Sequence, residues 1–252
     1  VALNTSKSGF QQLLSALLSV ANQDQNMFLP PWVFSAMVNT VTSFLIDKCV
    51  DIFPSNPQVI DILYPFIRLC PIAPSGGTIV LPPDYRNILG APSIIVKDDK
   101  SGECGEAVTI KTPQQFLAAN LKGGCIRRPI TIVPQSEFDY LTTSTYKKPD
   151  VWNPAGYNAG INENGQKLIR ICPTDLSKVY LLYVKQENIY NLGYEMMPDE
   201  TFIIDANSTI DTEWDNPATS SLMKGLTALY GAYSRDREFS NFANILRESN
   251  LL

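Results

Sequence analysis

Apolar residues recur with a helical period at both ends of this chain and crowd into short, proline-bounded runs in its middle. That order restricts the fold to helices drawn from the two ends and a sheet made between them. Near the start, Phe10, Leu13, Leu14, Leu17 and Leu18 fall at i, i+3, i+4, i+7 and i+8, and Ser8 with Gln11 forms a capping-box start. The polar stretch from Asn22 to Asn26 ends that helix. Pro30-Pro31 opens a second, because a proline at the first helical position forfeits no needed N–H. Phe34, Met37, Val38, Val41, Phe44 and Leu45 give it an apolar face, and it stops by Pro54. Val59, Ile62, Leu63, Phe66 and Ile67 predict a third, shorter helix, with Pro65 in its last turn or kinking it.

From Pro71 the texture changes to β. Pro74, Gly76, Gly77, Pro82 and Pro83 punctuate runs dense in Val, Ile and Thr. The predicted strands are Thr78 to Leu81, Ser93 to Lys97, Val108 to Lys111, Ile130 to Val133, Lys167 to Cys172, Lys178 to Lys185 and Thr201 to Asp205. Asp98 to Glu103 reads as the polar loop of an antiparallel hairpin. Two short helices are expected inside the sheet region, Gln114 to Lys122 and Glu137 to Thr143, the latter capped by Ser136. Lys147 to Asn164, rich in Pro, Gly and Asn, reads as a long surface loop. In the LPPDY run, Leu81 ends a strand, Pro82-Pro83 stops its ladder, and Asp84 caps a turn holding Tyr85, Ile88 and Leu89 on the sheet. Helix returns at Asp215 or Asn216 with Pro217 in the first turn. Leu222, Leu226, Leu229, Tyr230 and Tyr233 keep the spacing, and Phe239, Phe242, Ala243 and Leu246 resume it after Gly231.

The expected class is therefore α+β: N- and C-terminal helices packed as a layer on a central, mainly antiparallel, barrel-like sheet domain. The expected boundaries are residues 1–70 helical, 71–212 β-rich with helical inserts, and 213–252 helical against the N-terminal helices.

Composition narrows the chemistry. Not one of the 252 residues is histidine. That removes the commonest general base, the commonest metal ligand and the usual partner of a Ser or Cys nucleophile. Neither a P-loop nor a dinucleotide glycine fingerprint occurs. A carboxylate-only hydrolase or nuclease survives on paper, but the densest acidic group, Asp98, Asp99, Glu103 and Glu106, lacks calcium-loop order and reads as a solvated hairpin tip. No catalytic, cofactor or metal residues are assigned. Charged residues are 18% of the chain and the net charge is -5, which disfavours a free nucleic-acid binder and suits a subunit partly hidden by neighbours. Cys49, Cys70, Cys104, Cys125 and Cys172 are odd in number and never form C-x-x-C, so reduced, buried thiols are expected. No apolar run reaches the roughly 18 to 20 residues of a membrane span, and no export signal or membrane anchor is expected.

Two sets of residues stand out as contacts. Lys122, Arg127 and Arg128 are the one basic concentration, a candidate for DNA, phosphate or an acidic partner. Phe239, Phe242, Leu246, Leu251 and Leu252 form an apolar stripe that either folds back or docks on another subunit. Tyr180, Tyr183, Tyr190 and Tyr194, and Trp32, Trp152 and Trp214, read better as packing anchors than as a base-stacking platform.

The order of motifs carries more than any one of them. NQDQNMFLPPWVF is followed by DILYPFI and IVLPPDYRNILGAPSIIV, then by SEFDYLTTSTYKKP, by KLIRICP with KVYLLYVK, and by DTEWDNPATSSLMKGLTALYGAYSRD. Across about residues 8 to 246 this resembles the virion structural proteins of crAss-like bacteriophages of gut Bacteroidales, most nearly their neck components. Thr112 to Arg128 has no counterpart in that pattern, and KQENIYNLGYEMMP lacks its proline-rich ending. The resemblance implies a ring between portal and tail, a cyclic homo-oligomer of about twelve copies. It implies contacts with the portal and with adjacent neck or tail proteins, genomic DNA passing non-specifically through the lumen, no cofactor, and assembly in the bacterial cytoplasm. A tail-tube or tail-hub subunit, or a cargo or capsid-associated protein, are the alternatives within the particle.

Overall fold

The computed structural model describes residues 9, 13–15, 17, 29–53, 55–56, 59–97, 120–121, 125–198, 202–214 and 216–234. Contacts divide the chain into two units, Val1–Pro65 with Glu187–Leu252, and Phe66–Gln186. A helix near the N-terminus and one near the C-terminus flank, in chain order, a central and mostly antiparallel multi-strand region. No barrel closure occurs among the described strands.

In the first unit α1 (Pro31–Ile52) starts one residue after Pro30, as the Pro-Pro signal predicts. Phe34, Val38, Val41 and Leu45 are buried, but Phe44 is exposed and does not belong to the apolar face expected for it. A second buried face instead carries Ser35, Thr42, Ile46 and Cys49. By length and by a mean hydropathy of 1.3 this helix could cross a membrane, yet half of that window is buried inside the fold. Its main partner is the C-terminal helix α4 (Asn216–Ser234). There Gly225 sits so close to α1 that an added Cβ would lie 2.5 Å from Val41 Cγ1. Of the expected first helix, Leu13 and Leu17 are helical and buried. Phe10 and Leu18 lie outside the described residues.

The third helix is shorter than its periodicity predicts. Helix α2 (Ile60–Leu63) tightens into a single 3₁₀ turn over Tyr64–Phe66, and Ile67 already begins a strand. That strand, β1 (Ile67–Ile72), opens the second unit and pairs antiparallel with β10 (Val179–Lys185) from Ile67↔Val184 to Ile72↔Val179.

Two sheets build this unit. One runs β1-β10-β4-β6-β5, with β3 (Tyr85–Ile88) also on β10; β4 is Ser93–Lys97, β5 Asn120–Leu121 and β6 Cys125–Pro129. The other runs β2-β9-β8-β7: β2 Thr78–Val80, β9 Lys167–Cys172, β8 Ala155–Ile161 and β7 Thr131–Ile132. Ile94, Val96, Val179 and Leu181 from the first sheet and Ile79, Ile169 and Ile171 from the second share one core cluster. Helix α3 (Gln135–Thr143) contributes Phe138 to a smaller cluster with Ala155, Tyr157 and Cys172, its ring 4.8 Å from that of Tyr157.

Several expectations fail here for identifiable reasons. The expected loop from Lys147 to Asn164 contains β8, because Gly156 is where β8 passes tight against Arg170 O and Ile171. Asn120–Leu121 is a strand and not the end of a helix, and β4 pairs with β6. Val108–Lys111 and Asp98–Glu106 lie outside the described residues. Helix α3 starts at Gln135 after Pro134, with no side-chain cap, so Ser136 is inside the first turn. Cys49, Cys70 and Cys172 are free, but Cys125 is disulfide-bonded, which corrects the expectation of reduced thiols throughout.

Candidate contact surfaces

Of the basic concentration, the structure describes Arg127 and Arg128. Arg127 and Arg128 are consecutive on β6, opposite Ile95 and Ile94 of β4, and consecutive strand residues project to opposite faces. Both are half-buried. The Arg128 guanidinium lies 4.8 Å from the centre of the Trp152 ring, and its Nε is buried without a hydrogen bond. Burial pushes the Arg127 pKa down. Lys122 lies outside the described residues, as do Phe239, Phe242, Leu246, Leu251 and Leu252.

The LPPDY corner holds by a clasp that the sequence did not reveal. Tyr85 N–H donates to Pro82 O to form the turn, but the Asp84 carboxylate accepts from the Tyr183 hydroxyl at 3.0 Å and does not cap that turn. Tyr85 lies in strand β3 and faces Tyr183, with ring centres 6.1 Å apart, while Lys167 Nζ lies 5.1 Å from the Tyr85 ring centre. Burial first, and then the Asp84 hydrogen bond and charge, push the Tyr183 phenol well above its usual range. A phenol so hard to ionise acts as a donor and not as a base. The group is a structural corner.

The tyrosines and tryptophans mostly pack. Tyr180, Tyr183 and Tyr190 are buried, and Tyr194 meets Trp32 with ring centres 6.0 Å apart. Trp214 is buried and donates its Nε1–H to Thr42 Oγ1 at 3.0 Å. Trp32 is about half exposed.

Thr42 belongs to a polar stripe along α1 at i, i+4 and i+7. Ser35 Oγ accepts from Leu192 N–H at 2.9 Å, and Asn39 both accepts from Tyr190 N–H and donates to Tyr190 O, each at 2.9 Å. The stripe moors the returning segment 187–214 to α1 within the first unit. That segment carries the two-stranded ribbon β11 (Tyr194–Met196) and β12 (Phe202–Ile204), in register Tyr194↔Ile204, Glu195↔Ile203 and Met196↔Phe202. Asp205 ties the following turn, accepting from Asn207 N–H, Ser208 N–H and Ser208 Oγ–H, which holds its carboxyl below the usual range. Ile189, Met196, Ile203 and Ile210 are each more than half exposed along this moored segment. Nothing in their spacing marks them, because an exposed apolar residue is legible only once the fold is known.

A second exposed anchor lies in the sheet unit. Tyr146 is 98% exposed, beside exposed Lys147 and Lys148. Its loop is pinned at both ends: Lys147 N–H donates to Ser144 Oγ at 3.1 Å, and Asp150 Oδ1 accepts from Trp152 and Asn153 N–H at 2.9 and 2.7 Å.

No protein-family model matches the chain, and no curated protein does. Its chemistry is therefore read from its own residues. Among the described residues, no group of three or more Cys, Asp or Glu is placed to hold a metal ion. Two exposed apolar elements of the described surface are pinned by hydrogen bonds: the segment of Ile189, Met196, Ile203 and Ile210, whose sequence carries acids and no Lys or Arg, and the loop of Tyr146, followed by Lys147 and Lys148.

Proposed function

We propose that the chain is a virion structural subunit of a crAss-like bacteriophage, forming a ring in the neck between portal and tail that extends the DNA channel and links capsid to tail. The observation that carries this reading is the ordered series of motifs, from NQDQNMFLPPWVF to DTEWDNPATSSLMKGLTALYGAYSRD, over most of the chain. The lack of histidine and the exposed, pinned apolar anchors support a protein that works by contact. About twelve copies would close around the DNA, each contact joining unlike faces.

The test is location and copy number. Quantitative mass spectrometry of purified particles is expected to count the chain at a ring's worth per portal, and a reconstruction of the intact neck to place it there. Absence from purified particles overturns the reading. Hundreds of copies per particle instead mark a tail-tube or capsid-associated subunit.

A further inference from the structure

The two units carry opposite charge. Val1–Pro65 with Glu187–Leu252 holds fifteen Asp and Glu against six Lys and Arg, a formal -9, whereas Phe66–Gln186 holds ten against fourteen, a formal +4. The separation is sharpest in the moored segment, since eight acids and no Lys or Arg lie between Lys185 and Lys224. We propose that copies of this chain associate head to tail, the Tyr146-Lys147-Lys148 loop of one copy docking on the acidic, apolar ribbon segment of the next, around Glu195 and Ile203.

Each side has the two things a docking surface needs. Tyr146 is a rigid, amphipathic anchor at 98% exposure, with two lysines beside it on a loop pinned by Ser144 and Asp150. The ribbon offers Ile203 at 53% exposure with Glu195 directly opposite it, so an apolar and an acidic side chain share one face. The Tyr146 ring against Ile203 gives the apolar contact, and the lysines facing Glu195 steer and register it. A symmetric contact of ribbon with ribbon would set acid against acid. Complementary surfaces on one chain point instead to a second copy in a heterologous arrangement, which either closes into a ring or continues as a filament. The contact deepens the ring reading and rests on it only for closure.

Sedimentation velocity of the full chain, from about 1 to 100 µM, tests the contact. Self-association is expected to strengthen with concentration and to weaken at least about ten-fold between 0.05 and 0.5 M salt, as exposed charge contacts do. K147E/K148E and E195K are each expected to weaken it about ten-fold or more, and their combination in one chain to restore most of it. Y146A should weaken it at both salt concentrations. Thermal melts confirm that each variant folds, and E195Q serves as the milder change if E195K does not.

Three results overturn the proposal. Wild-type chain that stays monomeric at 100 µM in low salt does so, as do variants that associate like wild type. So does a K147E/K148E variant that loses binding to duplex DNA while keeping self-association, since the loop is then a nucleic-acid surface. The ring reading fails separately, by absence from particles, and neither failure produces the other.

Discussion

Replacing Asn39 by Ala should loosen the segment 187–214, because one side chain satisfies both backbone groups of Tyr190. Its amide oxygen accepts Tyr190 N–H and its amide nitrogen donates to Tyr190 O, both at 2.9 Å, as a neighbouring strand would. Tyr190 is almost fully buried, so neither group finds water easily. Two hydrogen bonds at about 1 kcal/mol each, plus part of the ~1–3 kcal/mol cost of leaving a buried polar group unpaired, give about 2–4 kcal/mol. Urea unfolding checks the magnitude, and amide exchange at Tyr190 and Leu192 checks the place. Ser35→Ala removes the acceptor of Leu192 N–H and should cost about 1–2 kcal/mol. The double variant should cost less than the sum, since both residues order the same segment. Asn39→Asp is the sharper variant. An ionised carboxylate still accepts from Tyr190 N–H but opposes Tyr190 O, whereas a protonated one can donate to it. Its folded pKa is therefore raised above the ordinary value near 3.9, and its stabilising contribution is lost as pH rises through that raised value. Asn39→Asp should be closer to wild type at pH 4 than at pH 7. A loss under about 0.5 kcal/mol for Asn39→Ala, with unchanged exchange at Tyr190, would show that the mooring carries no energy and refute the reasoning.

Gly225→Ala should cost about 1–3 kcal/mol, read from the thermal midpoint, because its Cβ would meet Val41 Cγ1 at 2.5 Å, and Val41→Ala should recover part of that loss. Cys49 is buried, and burial raises its thiol from 9.0 to about 11. Its contribution is complete below pH 9 and fades as pH rises through 11, and Cys49→Ala should flatten stability across that window. Tyr183 and Tyr190, also raised, add the same sign only above pH 10. Under native, non-reducing conditions Cys125 should take no alkylating label and should take it after reduction, as read by peptide mass spectrometry. Trp152→Ala should cost about 0.5–2 kcal/mol by removing the ring under Arg128, and Arg128→Lys should cost less than Arg128→Ala.

What could be read from the sequence was whatever one chain segment decides alone. The start of α1 at Pro31, strand β4 at Ser93–Lys97 and strand β9 at Lys167–Cys172 all fall where local signals put them. What could not be read depended on partners far along the chain. Ile67 continues the helical spacing of Leu63 and Phe66, yet pairing with Val184 draws it into β1. Pro71 fits inside β1 because β1 is at the end of its sheet's strand order, where a missing N–H removes no second ladder. In β8 the glycines that signalled a loop serve the strand: Gly156 passes tight against Arg170 O and Ile171, and Gly160, at φ +96°, sits at the register shift beside Asn158. The candidate surfaces were harder still. Ser35, Asn39 and Thr42 look like ordinary polar positions of an amphipathic helix until segment 187–214 is laid along them.

The same long-range pairing explains how a discontinuous unit can be interrupted by more than a hundred residues of sheet. The chain leaves the first unit at Pro65 and re-enters at Glu187, so both crossings must start from points that the second unit holds together. Ile67 and Val184 are direct partners in the β1–β10 ladder, close inside the two boundaries. Asp84 O accepts Gln186 N–H at the exit, while Lys185 pairs with Tyr85, so the departing strand is held from its other side as well. An insertion whose ends are paired adds little loop-closure entropy to its host, because the sheet has already brought the ends together. The LPPDY corner thus has a role that its sequence did not reveal. By fixing Tyr183 through Asp84, it locks β10 beside β3 near the point where the chain leaves the second unit.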